Sequence, residues 1–294
     1  MPGGIDHIVH AVRDLDAAAE FYRRAGFTVG ARNRHPWGTH NRIVQFGNAY
    51  IELLEIAEAE KIPPHRPRVF SFGAFNRDFL GRREGLSMLI LNSRDAAADA
   101  HAFAAKGIGD FEVFDFSREG KRPDGATVKL AFALAFAQDT TSPDVRFAVC
   151  QHYFPENFWN PAFQVHANGA MRIPGAVLVA DNPADHHVFL KSFTGVNDLH
   201  STSIGVRAVT ENGDVEIMQQ VAFRDLTGVA QKVGDEGMTL NALRFAVADI
   251  AKTEAAHRDN AIASRRHVGR LVVPPDLAFG ATLIFEAAKP ADEG

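Results

Sequence analysis

The stretch IDHIVHAVRDLDAAAEFYRRAGF, residues 5–27, decides how the rest of this chain is read. Ile5 to Val12 is a short apolar run that reads as a strand. Asp14 then offers an N-cap, and Leu15 to Ala25 reads as a helix with Ala18, Phe21, Tyr22 and Ala25 on one stripe. Gly26 is its natural stop. Phe27–Ala31, Arg42–Phe46 and Ala49–Glu55 read as three further strands, with Gly47-Asn48 turning between the last two. The unit is βαβββ.

The same order recurs three times, with decay. In the second copy Leu86–Leu91 is a strand, Asp95 caps an alanine-rich helix closed by Gly107, and strands follow at Phe111–Phe116, Val128–Phe136 and Val145–Tyr153. The third opens with Gly175–Ala180, has Asn182 and Pro183 at a helix start and Gly195 at its end, and continues with strands near Ser203–Val209 and Val215–Phe223. The fourth has Ala242–Val247, a helix from Asp249 to about Asn260, then Val268–Val273 and Ala281–Ala287. A βαβββ unit covers one sheet face with its helix and leaves the other concave. Two units side by side make a cupped, mostly antiparallel sheet around a cavity. Four predict an α+β protein of two cups, with domains at 1–165 and 173–294 and a connector from Asn157 to Arg172 that holds Pro161 and Gly169 and shows no period.

Composition narrows the partners. A net charge of −5 without a basic stripe argues against nucleic acid. The single cysteine, Cys150, excludes an intramolecular disulfide and fits a reducing cytoplasm. Met1 to His7 lacks the regions of a signal peptide, and no apolar run approaches the ~20 residues that span a bilayer. A cytoplasmic protein with no membrane partner is expected. The chain holds 23 Phe against 3 Tyr and 2 Trp, which predicts apolar interiors or an apolar pocket.

Strand alternation then places chemistry. His7, Val9 and Ala11 share one face of the first strand, and Tyr50, Glu52 and Leu54 share one face of the fourth. If these strands lie together, His7 and Glu52 converge in the cup, where imidazole and carboxylate suit a divalent metal. His10 falls on the helix side as a structural residue, and Glu55 is expected to cap the rim or pair with a surface Arg.

Asp6 to Leu15, followed by Phe21-Tyr22 and Gly26-Phe27, resembles the opening of vicinal-oxygen-chelate proteins. The segment His35-Pro36-Trp37-Gly38-Thr39-His40-Asn41 is similar to a glyoxalase-like subfamily with a Gly-Thr-x-Asn loop before the third strand. In that superfamily a first-strand histidine and a last-strand glutamate bind metal, and His7 and Glu52 match them. Carried through the other copies, the template puts Met88, Gly175 and Ala242 at the histidine position, so those copies have lost the ligand. In the second copy's last strand Cys150 falls at the Glu52 position, with His152 on the same face. The resemblance thus implies a divalent ion (Fe, Mn, Zn, Ni or Co) on His7, Glu52 and His152, a set that leaves coordination positions open. Cys150 is the substitute third ligand, whose thiolate would favour a closed, zinc-like site. Val9, Thr39, His40, Asn41, Tyr50 and Cys150 are expected around the substrate, though Thr39, His40 and Asn41 could instead build the turn. Glu286, near the matching place in the fourth copy, reads as vestigial, and Gly81-Arg82-Arg83-Glu84 as a solvated charge run.

The implied function is a metal-dependent lyase, isomerase or dioxygenase acting on a small oxygenated molecule chelated through two oxygens. Superfamily isomerases often use four ligands, and this chain offers three, so no catalytic residue is assigned. The rival is a metal-free binding protein of the glyoxalase/bleomycin-resistance type, sequestering a small molecule in a Phe-lined cup. A third reading gives the ligand-poor C-terminal half a structural or dimerising role, with a homodimer left open.

Overall fold

The computed structural model describes residues 3–121, 125–230 and 236–288; Met1 and Pro2 and the last six residues of the 173–294 span lie outside them. The first unit comprises β1 (Ile5–Ala11), α1 (Leu15–Arg24), β2 (Asn33–Arg34), β3 (Thr39–Gln45) and β4 (Tyr50–Ile56). Helix α2 (Phe72–Arg82) leads to β5 (Gly85–Asn92), α3 (Ala96–Ala105), β6 (Phe114–Lys121), β7 (Thr127–Ala137) and β8 (Arg146–His152). After the single turn α4 (Pro155–Phe158) come β9 (Ala170–Ala180), α5 (His187–Thr194), β10 (His200–Thr202), β11 (Gly205–Val209) and β12 (Asp214–Gln219). Helix α6 (Gln220–Thr227) leads to β13 (Met238–Val247), α7 (Ile250–Asp259), β14 (Arg265–His267), β15 (Arg270–Val273) and β16 (Thr282–Ala287).

The strands form two 8-stranded sheets, ordered β2-β3-β4-β1-β5-β8-β7-β6 and β10-β11-β12-β9-β13-β16-β15-β14. Adding eight to each strand number of the first order gives the second, so the repeat is a repeat of topology. In both, the first strands of neighbouring units (β1 with β5, β9 with β13) run antiparallel and join the units. Copy one therefore pairs with copy two, and copy three with copy four. The α+β fold of cupped, mostly antiparallel sheets is the expected one.

Local chemistry repeats too. Asp14, Asp95 and Asp249 each cap the helix after a unit's first strand, with Asp14 Oδ1 accepting from the N–H groups of Asp16 and Ala17 at 3.0 and 2.9 Å. Three expectations need correction. No strand forms at 27–31, because Thr28 gives its N–H to His166 Nδ1 and its hydroxyl to the Val165 carbonyl in the connector. The strand expected to reach Phe223 ends at Gln219, where α6 begins. Gly81 and Arg82 close α2, and Arg83 packs its guanidinium over the Phe79 ring at 4.6 Å rather than in solvent.

One continuous apolar core spans both sheets. Phe27 of the first half stacks on Phe285 and packs 5.1 Å from Phe245 of the second. His10 ties the halves together. Its Nε2–H donates to the Phe279 carbonyl at 2.9 Å, and its Nδ1 accepts from the Tyr22 hydroxyl at 2.9 Å. That pattern needs a neutral ring with the proton on Nε2.

Burial pushes the His10 pKa down to about 4, against the opposing pull of Phe279. The unfolded ring titrates near 6.5. As pH falls from 6.5 to 4 the unfolded chain therefore gains a proton that the folded chain refuses, and stability is lost across that window. This ring alone accounts for roughly 3 kcal/mol; His257, also pushed to about 4 by burial, adds to it. Denaturant midpoints between pH 7 and 4 should fall less steeply for His10→Gln than for the wild type. Equal slopes would show that His10 is not the titrating group.

Candidate metal centre

Strand pairing builds the first cup. β1 and β4 run parallel with His7 opposite Tyr50 and Val9 opposite Glu52, so His7 and Glu52 sit on adjacent strands with their side chains on one face. His7, Tyr50, Glu52 and Cys150 line one chamber. The His7 ring stacks on Tyr50 at 4.4 Å. The remaining wall is aromatic. Trp37, in the turn before β3, packs against Phe114 and Phe116 of β6, each at 5.1 Å. Since β2 and β6 are the edges of the sheet, this seam draws opposite edges together and curls it.

Asp6 is the residue that alternation misplaces. The register of β1 against β5 slips between Ile5 and His7. Such a bulge breaks the alternation of faces and lets the Asp6 carboxylate reach the cup-side rings. Its Oδ1 accepts from His7 Nδ1 at 2.6 Å, and its Oδ2 accepts from His152 Nε2 at 3.0 Å and from Asn92 Nδ2 at 3.2 Å. Burial opposes the charge, but His152 and then His7 outweigh it and hold the carboxyl well below the usual range. With Nδ1 committed to Asp6, His7 keeps a free Nε2 on the chamber side. This carboxylate–imidazole arrangement is the one that orients metal-bound histidines.

Glu52 is oriented from the other flank. Its Oε1 accepts from Asn41 Nδ2 at 2.6 Å, and Asn41 Oδ1 accepts from Asn33 Nδ2 at 2.9 Å. Asn41 also lies 3.3 Å from His35 Nε2, while the Thr39 hydroxyl bonds His35 Nδ1 at 2.8 Å. The turn that brings this chain round needs glycine at Gly38: φ is +86°, and a Cβ would lie 2.3 Å from the Glu58 carbonyl oxygen. Among the described residues, donor atoms of Asp6, His7 and Cys150 all lie within 4.8 Å of one another; of the expected ligands, Glu52 and His152 fall outside that group. With an unbonded imidazole nitrogen and a carboxylate on the same wall, the donor set fits a divalent ion.

The other expected residues divide by face. Asn41, Tyr50 and Cys150 line the chamber. Val9 lies in the apolar cluster on the cup side, and Thr39 is fully buried behind His35. His40 points to the opposite face, where it accepts from Arg32 at 3.1 Å and lies 3.7 Å from Glu55. His152 sits beneath Phe158 and Trp159 with its Nε2 on Asp6, outside the chamber wall. Sequence reasoning missed Asp6, helix α2 and Arg118. The last was readable, since Phe114, Phe116 and Arg118 alternate along β6.

The second cup keeps the carboxylates without the histidine. Glu216 lies opposite Val177 as Glu52 lies opposite Val9. Gly175 stands at the histidine place, and a Cβ there would meet the Arg244 guanidinium at 3.2 Å. Arg244 donates to Glu216 at 2.6 Å and to Glu286 at 2.7 Å. Helix α6 fills the rest of the cup with the fully buried Phe223.

A mixed, cupped sheet with an imidazole and a carboxylate on adjacent strands defines a vicinal-oxygen-chelate fold. The chain belongs to the glyoxalase-like domain family, whose sequence profile matches residues 5–194. It matches no curated protein. Among solved structures it is similar to a hypothetical protein from Staphylococcus aureus, with TM-score 0.66 and 13% identity over 97% of this chain and 99% of that one. A triple mutant of 4-hydroxymandelate synthase from Streptomyces coelicolor aligns with TM-score 0.57 and 11% identity, covering 98% and 94%. A xylose isomerase-like TIM barrel/4-hydroxyphenylpyruvate dioxygenase fusion protein aligns with TM-score 0.52 and 14% identity, over all of this chain and 50% of that one. At these identities the likeness is one of fold.

Removing Arg244 leaves two largely buried carboxylates without their shared cation. Arg244→Ala should cost about 3–5 kcal/mol of stability, read from denaturant unfolding, and adding Glu216→Gln and Glu286→Gln should recover part of it. An unchanged midpoint would show that the ion cluster is a solvated ornament.

Proposed function

We propose that this protein is a metal-dependent enzyme of the vicinal-oxygen-chelate type, acting on a small oxygenated organic molecule, with His7 and Glu52 holding a divalent ion in the first cup. The observation that carries this reading is the pair of oriented donors. Asp6 accepts a hydrogen bond from His7 Nδ1–H and leaves Nε2 toward the chamber, while Asn41 fixes Glu52 on the adjoining strand. Cys150 is the nearer candidate for a third donor; His152 acts through Asp6. Burial, then Asp6 and Glu52, pushes the Cys150 thiol up, so it stays protonated without a neighbouring cation. A mixed imidazole, carboxylate and thiol set suits Zn, Fe, Co, Ni or Mn, with thiolate ligation favouring Zn. The ion would supply Lewis-acid stabilisation of negative charge on a substrate oxygen, worth several kcal/mol. Tyr50 keeps its proton because burial, then Asp6, pushes its pKa up, and its hydroxyl can donate to that oxygen. Dioxygenase, lyase and isomerase chemistry would each use such an ion on this platform. Residues 1–165 carry the site and 173–294 support it. A metal-free binding protein is the second reading, favoured by the aromatic wall of the chamber.

Metal analysis of the purified protein distinguishes the two. We expect about one ion per chain, lost in both His7→Ala and Glu52→Ala. Asp6→Asn and Asn41→Ala should weaken metal affinity some 10–100-fold, and His40→Ala should leave it unchanged. Comparing Cys150→Ser with His152→Ala identifies the third donor. Wild type holding no more metal than the His7→Ala/Glu52→Ala double variant would remove the enzyme reading.

A further inference from the structure

Arg118 carries a charge that the protein itself does not answer. It sits on β6 opposite Leu130 of β7, one pleat beyond Phe116, on the cup face. It is half-buried and lines both the inner chamber and an outer vestibule, so it stands where the two join. Its only hydrogen bond among the described residues is a long one, 3.4 Å from Nη1 to the Glu119 carbonyl, and no carboxylate pairs with it. Arg83 and Arg146 also lack a carboxylate partner, but neither lines the chamber: Arg83 lies over the Phe79 ring, and Arg146 lies over Phe75 and donates to Gln138 at 2.7 Å. The remaining partly buried arginines are paired. Arg32 bonds Glu55, Arg42 bonds Asp16 at 2.9 Å, and Arg244 bonds Glu216 at 2.6 Å. A desolvated, unpaired guanidinium costs stability. Burial pulls against its charge, and the field of Glu52, then that of Tyr50, opposes that pull across the chamber.

The chamber is thus polarised along its length. Glu52 and the Asp6–His7 pair lie at the floor, and Arg118 lies at the mouth. Between them stand the rings of Trp37, Phe114, Phe116 and Phe132. We propose that the ligand is an organic anion with an aromatic or similarly flat apolar body, its carboxylate gripped by Arg118 and its neutral oxygens directed at His7. The planar fork of arginine matches a carboxylate through two parallel hydrogen bonds. The aromatic walls of the chamber suit a flat apolar body. With no ion at the floor a carboxylate there would meet Glu52, and Arg118 at the mouth is the cation that answers it. This inference rests on the chamber being the substrate site, and it names the class of substrate.

The test is isothermal titration of 2-naphthoate against 2-naphthamide, in EDTA, on wild type, Arg118→Gln and Arg118→Lys, with metal content measured on the same preparations before chelation. Wild type should prefer the carboxylate about tenfold, or 1.4 kcal/mol. Arg118→Gln should erase the preference and Arg118→Lys should retain only part of it, since the fork is lost. Equal affinity for acid and amide in the wild type, binding of neither, or a preference that survives Arg118→Gln would overturn the proposal. The metal reading fails separately. A carboxylate preference in a protein that never holds metal would support anion recognition while removing the metal enzyme; stoichiometric metal without the preference would do the reverse.

Discussion

The carboxylate of Asp6, buried among His7, His152 and Asn92, is the constraint from which the rest of the site follows. A charged group with no exposed surface is tolerable only when its lone pairs are met by donors. Meeting them fixes three side chains at once. It sets the tautomer of His7, aims the free nitrogen at the chamber, and holds His152 under the aromatic cover of Phe158 and Trp159. It also ties the start of β1 to β5 and β8, which come from the second unit. The first unit supplies the donors on the wall, and the second supplies part of the scaffold that orients them. This is why a single βαβββ unit would not make the site.

What could be read from the sequence is what obeys a period. His7 and Glu52 fall on one face because their strands alternate and lie side by side, and the aspartate caps of three helices recur at the same offset from a strand. Asp6 escaped because a bulge breaks the two-residue period at the residue next to the histidine. His40 was grouped with Thr39 and Asn41 as a loop; as a strand, the same three residues separate, with His40 turned toward Arg32 and Glu55. Helix α2 left a readable trace in Phe72, Phe75 and Phe79, spaced for one helical face behind the Ser71 cap. It falls between the last strand of one βαβββ unit and the first strand of the next, where the repeat template has no helix.

The excess of phenylalanine has two separate causes. Phe27, Phe245 and Phe285 knit the two sheets into one core, where a ring without a polar handle is easiest to bury. Phe114, Phe116 and Phe132 instead wall the chamber. Composition records the sum of these demands and cannot separate core from pocket; topology does, because Phe114, Phe116 and Phe132 lie on the cup face of β6 and β7.

The second cup shows what the first would become without an open site. Its carboxylates, Glu216 and Glu286, occupy positions from which Glu52 and Cys150 face the chamber in the first. A guanidinium lies between them where a divalent ion would otherwise balance the charge. A protein cation serves because Gly175 has no side chain, which opens the space that Arg244 fills. Helix α6 then inserts Phe223 beside Val177 and Met218, and Glu216 faces a separate pocket with Arg207 and Met218 at the β10–β12 edge. The corresponding helix of the first cup, α2, stops short: Phe72 touches the chamber while Phe79 packs on Ala11 beyond it. Two helices at the same point of the repeat, one a plug and one a partial wall, therefore account for why the two cups differ. The filled half is free to serve as the rigid base against which β1, and with it Asp6 and His7, is held.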